Sequence, residues 1–248
     1  LYTILDILNT PRVNISTIED PIEYRMPHIN QTQVKPKIGL SFANGLRSLL
    51  RQDPDIIMVG EIRDNETASL AVNAALTGHL VLSTLHTNSA AGALPRLLDM
   101  EAEPFLIAST TNCIIAQRLV RRLADDKKKH RLTADELKTL KQEHNLDEIL
   151  KIMKQEKVIP AGKEFTDIDF FQPDPSSKET EGYKGRIGIH EILEVTETIK
   201  ELLVKQATSD QIEQQAKKEG MVTMLQDGFI KAAQGITSIE EVLRATKE

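Results

Sequence analysis

The apolar positions of this chain fall in short blocks separated by polar, helix-like stretches. Ile56, Ile57, Met58 and Val59 stand between Pro54 and Gly60, and a second block over 80–83 follows Gly78 and ends in Thr84. A third run over 14–18 is β-prone and ends in Glu19 and Asp20. Blocks of about four apolar residues bounded by turn formers predict strands buried on both faces, which is the pattern of a parallel sheet covered by helices. The stretch "IEYRMPHINQTQV" predicts two extended segments folded about Pro27.

Helices are predicted between the strands. Residues 1–8 read as the tail of one. Ser41 caps a helix over 42–52, which stops at Asp53 because a residue before proline disfavours helix. Asp64 or Asn65 caps an alanine-rich helix that runs through Thr77 and stops at Gly78, with Glu66 favourably placed in its first turn. A helix over 89–100 contains Pro95, which should kink it or shift its start. Pro104 opens an amphipathic segment predicted to continue as one helix over 105–123, with Cys113 packed inside it and Arg118, Arg121 and Arg122 near its end.

The pattern then changes. Residues 124–181 are richly charged, with the solvated run "DDKKKH", a capping box from Thr133 to Glu136, a helix near 146–155 and the polar loop "QPDPSSKETE". An apolar strand over 187–192 follows, then helices near 199–205, 210–219, 223–234 and from Ser238. These shifts divide the chain into 1–123, 124–181 and 182–248.

With 248 residues, 40% apolar and 27% charged, the chain is long enough for one large core and a smaller lobe. No apolar stretch approaches the ~20 residues of a membrane span, and the start lacks a signal-peptide pattern, so a cytoplasmic location is expected. The single cysteine excludes an internal disulfide and a cysteine-rich zinc cluster. A net charge of −6 argues against nucleic acid as the main partner. His28, His130 and His144 read as solvated, and His190 as packing.

The strand ends carry the chemistry. In an open parallel sheet, ligands bind beyond the carboxyl ends of the strands. Here those ends are Glu19 with Asp20, Glu61, and Thr84 with His86. Carboxylates and an imidazole converging on one edge suit a phosphate ligand with Mg²⁺. The carboxylates hold the metal or its waters and orient an attacking water.

At these residues the chain resembles a known family. "STIEDPIEY" is similar to the Asp box, "DPDIIMVGEIRD" to the atypical Walker B motif and "TGHLVLSTLHTN" to the His box of the secretion ATPases, the hexameric motors of type II secretion and type IV pilus assembly. "INQTQV", "RSLLRQDPD", "RLLDM", "AQRLVRRL", "GYKGRIGIHEIL" and "GITSIEEVLR" extend the resemblance over nearly the whole chain. It implies an α/β, RecA-like ATPase core with an inserted small lobe and a helical C-terminal subdomain. It also implies ATP and Mg²⁺ as cofactors, a homo-hexamer, and partners in an inner-membrane platform protein and a cytoplasmic adaptor at the membrane's cytoplasmic face. Carried over residue by residue, Glu61 is the Walker B glutamate near Mg²⁺, and Glu19, Asp20 and Glu23 form the Asp box that positions water. His79 and His86 are the His-box residues, Thr84 lies beside them, and Arg51 and Arg63 flank the site.

Two departures accompany the match. The family's phosphate loop lies directly before the residues equivalent to Leu1 and Tyr2, so the chain reads as a fragment expected to be inactive by itself. Assembly motors carry two Cys-x-x-Cys pairs in the inserted lobe, whereas Ala124, Lys127, Pro175 and Lys178 stand there, so no zinc is expected. Leu137, Leu140, Ile149 and Ile152 are expected to form a small core instead. Retraction motors lack a comparable insertion, which favours the assembly or secretion branch. The rival reading is a scaffold module of the same machinery that hydrolyses nothing.

Overall fold

The three apolar blocks and the "NQTQ" segment form one sheet of four parallel strands in the order β2-β1-β3-β4. The computed structural model describes residues 1–247. By its contacts the chain divides into two units, 1–114 with 195–215, and 115–194 with 216 onward. The first unit starts with α1 (Tyr2–Leu8), β1 (Ile15–Glu19), β2 (Asn30–Gln33), α2 (Phe42–Leu49), β3 (Ile56–Val59), α3 (Asn65–Leu76), β4 (Leu80–Ser83), α4 (Ala90–Asp99) and α5 (Pro104–Thr110).

Alternation along the central strands builds two apolar layers. Ile18, Ile57 and Val59 point to the face covered by α2 and α3, where they pack with Leu46, Leu49, Ala68 and Ala71. Ile15, Ile56 and Met58 point to the opposite face and pack with Leu5 of α1. Successive strand residues face opposite ways, so Thr17 and Glu19 share the α1 side with Ile15. Ile57 and Leu46 are fully buried, and truncating either to alanine should cost about 2–5 kcal/mol.

The register sets the level of the strand ends. Ile18 lies beside Val59, and Val59 beside Ser83, so the residues that follow, Glu19, Gly60 and Thr84, begin one edge together. Gly60 meets a close backbone approach there: a Cβ on it would lie 3.2 Å from the Ile18 carbonyl and 3.3 Å from the Glu19 Cα. The helices begin as their polar residues predict. Ser41, Asp64 and Ser89 each accept a hydrogen bond from the backbone N–H three residues on. Pro95 sits inside α4 without moving its start. The segment before β2 forms no strand, in contrast to the pair of extended segments expected about Pro27.

The helix expected over 105–123 is two elements. α5 ends at Thr110, where the Ser109 and Thr110 hydroxyls turn back onto the Leu106 carbonyl, and the backbone is extended at Thr111. Then β5 (Cys113–Leu123) begins, with Cys113, Ile115, Gln117 and Leu119 on its exposed side. That two-residue alternation is a strand's period. Cys113 is accordingly exposed rather than packed in a helix.

In the second unit β5 pairs with β8 (Tyr183–Glu194). Between them the chain forms β6 (Lys128–His130), α6 (Ala134–Glu143), α7 (Leu146–Gln155) and β7 (Phe170–Gln172), with β6 and β7 antiparallel. The Thr133 and Glu136 capping box opens α6 as predicted. After α8 (Glu197–Val204), which belongs to the first unit, and α9 (Ser209–Lys218), which spans the boundary, come α10 (Met224–Ala233) and α11 (Ile239–Thr246). The lobe's core holds Leu140 and Ile149, with Leu137 partly buried against it, while Ile152 lies outside it. Phe165, Phe170 and Phe229 supply its aromatic centre, at ring separations of 6.1 to 6.5 Å. His130, read as solvated, is half-buried and paired with Glu136 at 3.1 Å.

Candidate active site at the carboxyl ends of the strands

Glu61 follows β3 by two residues and is only 8% exposed. Two nitrogen-bearing side chains reach the same oxygen, Oε2. The Arg63 Nε donates to it, and the His86 Nε2 lies 3.0 Å from it. Burial pushes the Glu61 carboxyl up, and the hydrogen bonds from Arg63 and then His86 more than offset this, so it lies below its ordinary value. Glu61 is therefore an anion at neutral pH with one oxygen, Oε2, already engaged.

The backbone fixes this arrangement. The Thr84 hydroxyl donates to the Gly60 carbonyl at 2.6 Å, and the Ile62 N–H donates to the Thr84 carbonyl at 3.0 Å. These bonds tie the segment after β4, which carries His86, to the segment after β3, which carries Glu61. His86 itself is largely exposed, so its imidazole faces both Glu61 and solvent.

Glu19 ends the neighbouring strand and is 3% exposed. Its oxygens accept bonds from the hydroxyls of Tyr2 and Thr17 and, at 3.2 Å, from the Gln31 amide. Asp20 is exposed, and its charge reaches Arg63. Glu23 is exposed too, and its backbone N–H donates to the Tyr2 hydroxyl at 3.1 Å.

Glu19, Asp20, Glu61, Arg63, Thr84 and His86 are thus brought to one edge of the sheet, Glu23 lies in the loop after β1, and two expected residues are not at this edge. Arg51 lies in the short helical turn that leads into the amino end of β3. His79 immediately precedes β4 and caps α3, its Nδ1 lying 2.8 Å from the Ala74 carbonyl and 3.1 Å from the Thr77 hydroxyl. In a parallel sheet both positions belong to the edge opposite Glu61. His79 and His86 therefore occupy the two ends of β4. Sequence reasoning missed the donors around Glu19. The position of Thr17, two residues before Glu19 in a strand, could have pointed to it, but nothing in the sequence singles out Tyr2 or Gln31.

A parallel sheet flanked by helices, with acidic groups at its carboxyl edge, defines an α/β domain of the class that binds ligands beyond its strand ends. Over residues 1–244 the chain matches the family model described as "Type II/IV secretion system protein", and it belongs to that family. It is 48% identical to the type II secretion system protein E of Xanthomonas campestris pv. campestris, over all of this chain and 41% of that protein. It is 45% identical to the type IV pilus assembly ATPase PilB of Pseudomonas aeruginosa, again over all of this chain and 41% of the relative. The chain thus spans about two fifths of the length of these relatives. Among solved structures it is similar to the pilus retraction motor PilT with bound ADP, with a TM-score of 0.66 and 27% identity over all of this chain and 57% of that one.

Proposed function

We propose that this chain is the motor part of a longer ATPase that couples ATP hydrolysis to assembly of a type IV pilus or a type II secretion pseudopilus. The observation that carries the reading is the buried Glu61 carboxylate, held by Arg63 and His86 one strand away from Glu19. In this reading Glu61 would hold the Mg²⁺ that accompanies the nucleotide, directly or through water, and Glu19 with Asp20 orients the attacking water. Thr84 and His86 sense the terminal phosphate through their tie to Gly60 and Glu61. Arg51 and His79, at the opposite edge, take no part.

The donor set fits Mg²⁺ rather than a cation caged by protein. Among the described residues no three His, Cys, Asp or Glu side chains converge to hold a metal. Mg²⁺ commonly takes one or two carboxylates and completes its shell with water and phosphate, where it neutralises developing charge. The assembly direction is supported by the names and higher identity of the curated relatives compared with the retraction motor. Homo-hexamer formation, docking on an inner-membrane platform protein with a cytoplasmic adaptor, and work at the membrane's cytoplasmic face belong to the same proposal. No helix of the described residues is long and apolar enough to cross a membrane. The proposal also keeps 1–123 as motor core, 124–181 as an inserted lobe and 182–248 as a strand with a helical tail.

The test is Glu61→Gln in the longer protein. The variant should bind nucleotide as before and hydrolyse it roughly 10²-fold more slowly, the scale of losing a positioned acid, base or metal-orienting group. Turnover near that of the parent would remove Glu61 from the mechanism.

A further inference from the structure

The two buried carboxylates of the site are held in different ways. Glu61 takes its partners from Arg63 and His86, whereas every donor on Glu19 is neutral: the Tyr2 hydroxyl on Oε2, and the Thr17 hydroxyl and Gln31 amide on Oε1. Neutral donors fix the direction of a carboxylate without cancelling its charge, and this suits a group that must draw a proton or orient a water.

Tyr2 does more than donate. Its hydroxyl also accepts the Glu23 backbone N–H at 3.1 Å, and its ring packs against Tyr24 with centroids 4.4 Å apart. The Gln31 amide closes the same cradle from β2, bonding the Tyr24 carbonyl at 3.1 Å while its oxygen accepts from the Met26 N–H at 2.8 Å. One phenol therefore joins three pieces of the first unit: the first turn of α1, the end of β1 and the loop after it. Burial, with the hydrogen bond to Glu19, pushes the Tyr2 phenol up to about 12, so it remains a donor throughout the neutral range.

We propose that Tyr2 is a positioning residue for hydrolysis: its hydroxyl aims the Glu19 carboxylate and couples that aim to the loop carrying Asp20 and Glu23. The inference rests on the reading of Glu19 as the group that orients the attacking water. Tyr2 itself touches no reacting atom. Its effect is on turnover, because a carboxylate that swings freely still permits nucleotide to bind but is seldom directed at the water.

The experiment is a double-mutant cycle in the longer protein, with Mg-ATP hydrolysis and thermal unfolding as readouts. Tyr2→Phe keeps the ring and its packing on Tyr24 and removes only the oxygen. It should lower kcat about tenfold while KM and the unfolding midpoint stay close to the parent's. Glu19→Gln should lower kcat further, and the double variant should be no slower than Glu19→Gln, because the hydroxyl acts only through that carboxylate. If Glu19→Gln turns over normally, the reading of Glu19 fails and this inference with it. If Glu19→Gln is impaired but Tyr2→Phe is not, the Glu19 reading stands and the inference is overturned. Multiplicative losses, a raised KM at unchanged kcat, or loss of cooperative unfolding in Tyr2→Phe would also overturn it, by giving the hydroxyl another role.

Discussion

Glu241 should make the second unit sensitive to acid. Its side chain is 2% exposed, and Arg121 and Arg244 surround it. The Arg121 Nη2 and backbone N–H donate at 2.7 and 2.9 Å, and the Arg244 Nη2 and Nε at 2.8 and 3.2 Å. Burial pushes this carboxyl up, but the hydrogen bonds, first from Arg121 and then from Arg244, outweigh it and hold the group at about 2, against an ordinary 4.5. At about 1.4 kcal/mol for each tenfold change in the proton equilibrium, that depression is worth about 3 kcal/mol of folding free energy at neutral pH. A depressed carboxyl contributes stability above its unfolded value and loses it as pH falls through the folded one. The contribution is thus complete above about pH 5 and gone by about pH 1. In Glu241→Gln the titrating charge is removed, while the amide nearly matches the protonated acid in shape. Urea unfolding followed by circular dichroism should show the variant less stable by about 3 kcal/mol at pH 7, with the gap closing steadily below about pH 5. A gap that does not vary with pH, or one under about 0.5 kcal/mol at pH 7, would refute the reasoning.

Gly60→Ala should slow hydrolysis and destabilise the first unit by about 1–3 kcal/mol in thermal unfolding, because the new methyl group meets the backbone of Ile18 and Glu19 at 3.2 and 3.3 Å. A variant of normal stability and activity would show that the two strand ends can separate freely. Residues 1–248 by themselves, whose strand ends present Glu19, Asp20 and Glu61, should show no stabilisation by millimolar Mg-ATP. A competent site at a hundred times its Kd would add about 2.7 kcal/mol, so a clear upward shift would mean that the nucleotide site lies elsewhere.

The parallel sheet was legible through its central strands, β1 and β3, which are buried on both faces, whereas β2 and the 80–83 block that forms β4 are only partly covered. Ile56 to Val59 has neither alternation nor length enough for a helix, and every residue of β3 is indeed buried. The helix starts were legible for a local reason, since Ser41, Asp64, Ser89 and Thr133 cap backbone groups only three residues away. β5 was not legible, because its partner β8 lies some 60 residues further on and supplies the contacts that decide its form. The run "CIIAQRLVRRL" has apolar residues that fit a helical stripe as well as alternate sides of a strand. Local pattern cannot choose between the two when a distant segment covers one face.

The site divides along the same line. Glu19, Glu61 and His86 were identifiable because each follows an apolar block, and chain direction then assigns them to the carboxyl edge. The same argument assigns Arg51 and His79, which precede β3 and β4, to the opposite edge. What chain direction could not reveal is the cradle around Glu19. Tyr2, Thr17 and Gln31 come from a helix and two strands, and they meet only because Thr17 and Gln31 are register partners beneath the first turn of α1. A carboxylate's position follows from the strand that ends in it. Its direction follows from neighbours that the fold alone assembles, and in this chain that second requirement falls on a tyrosine seventeen residues before the carboxylate.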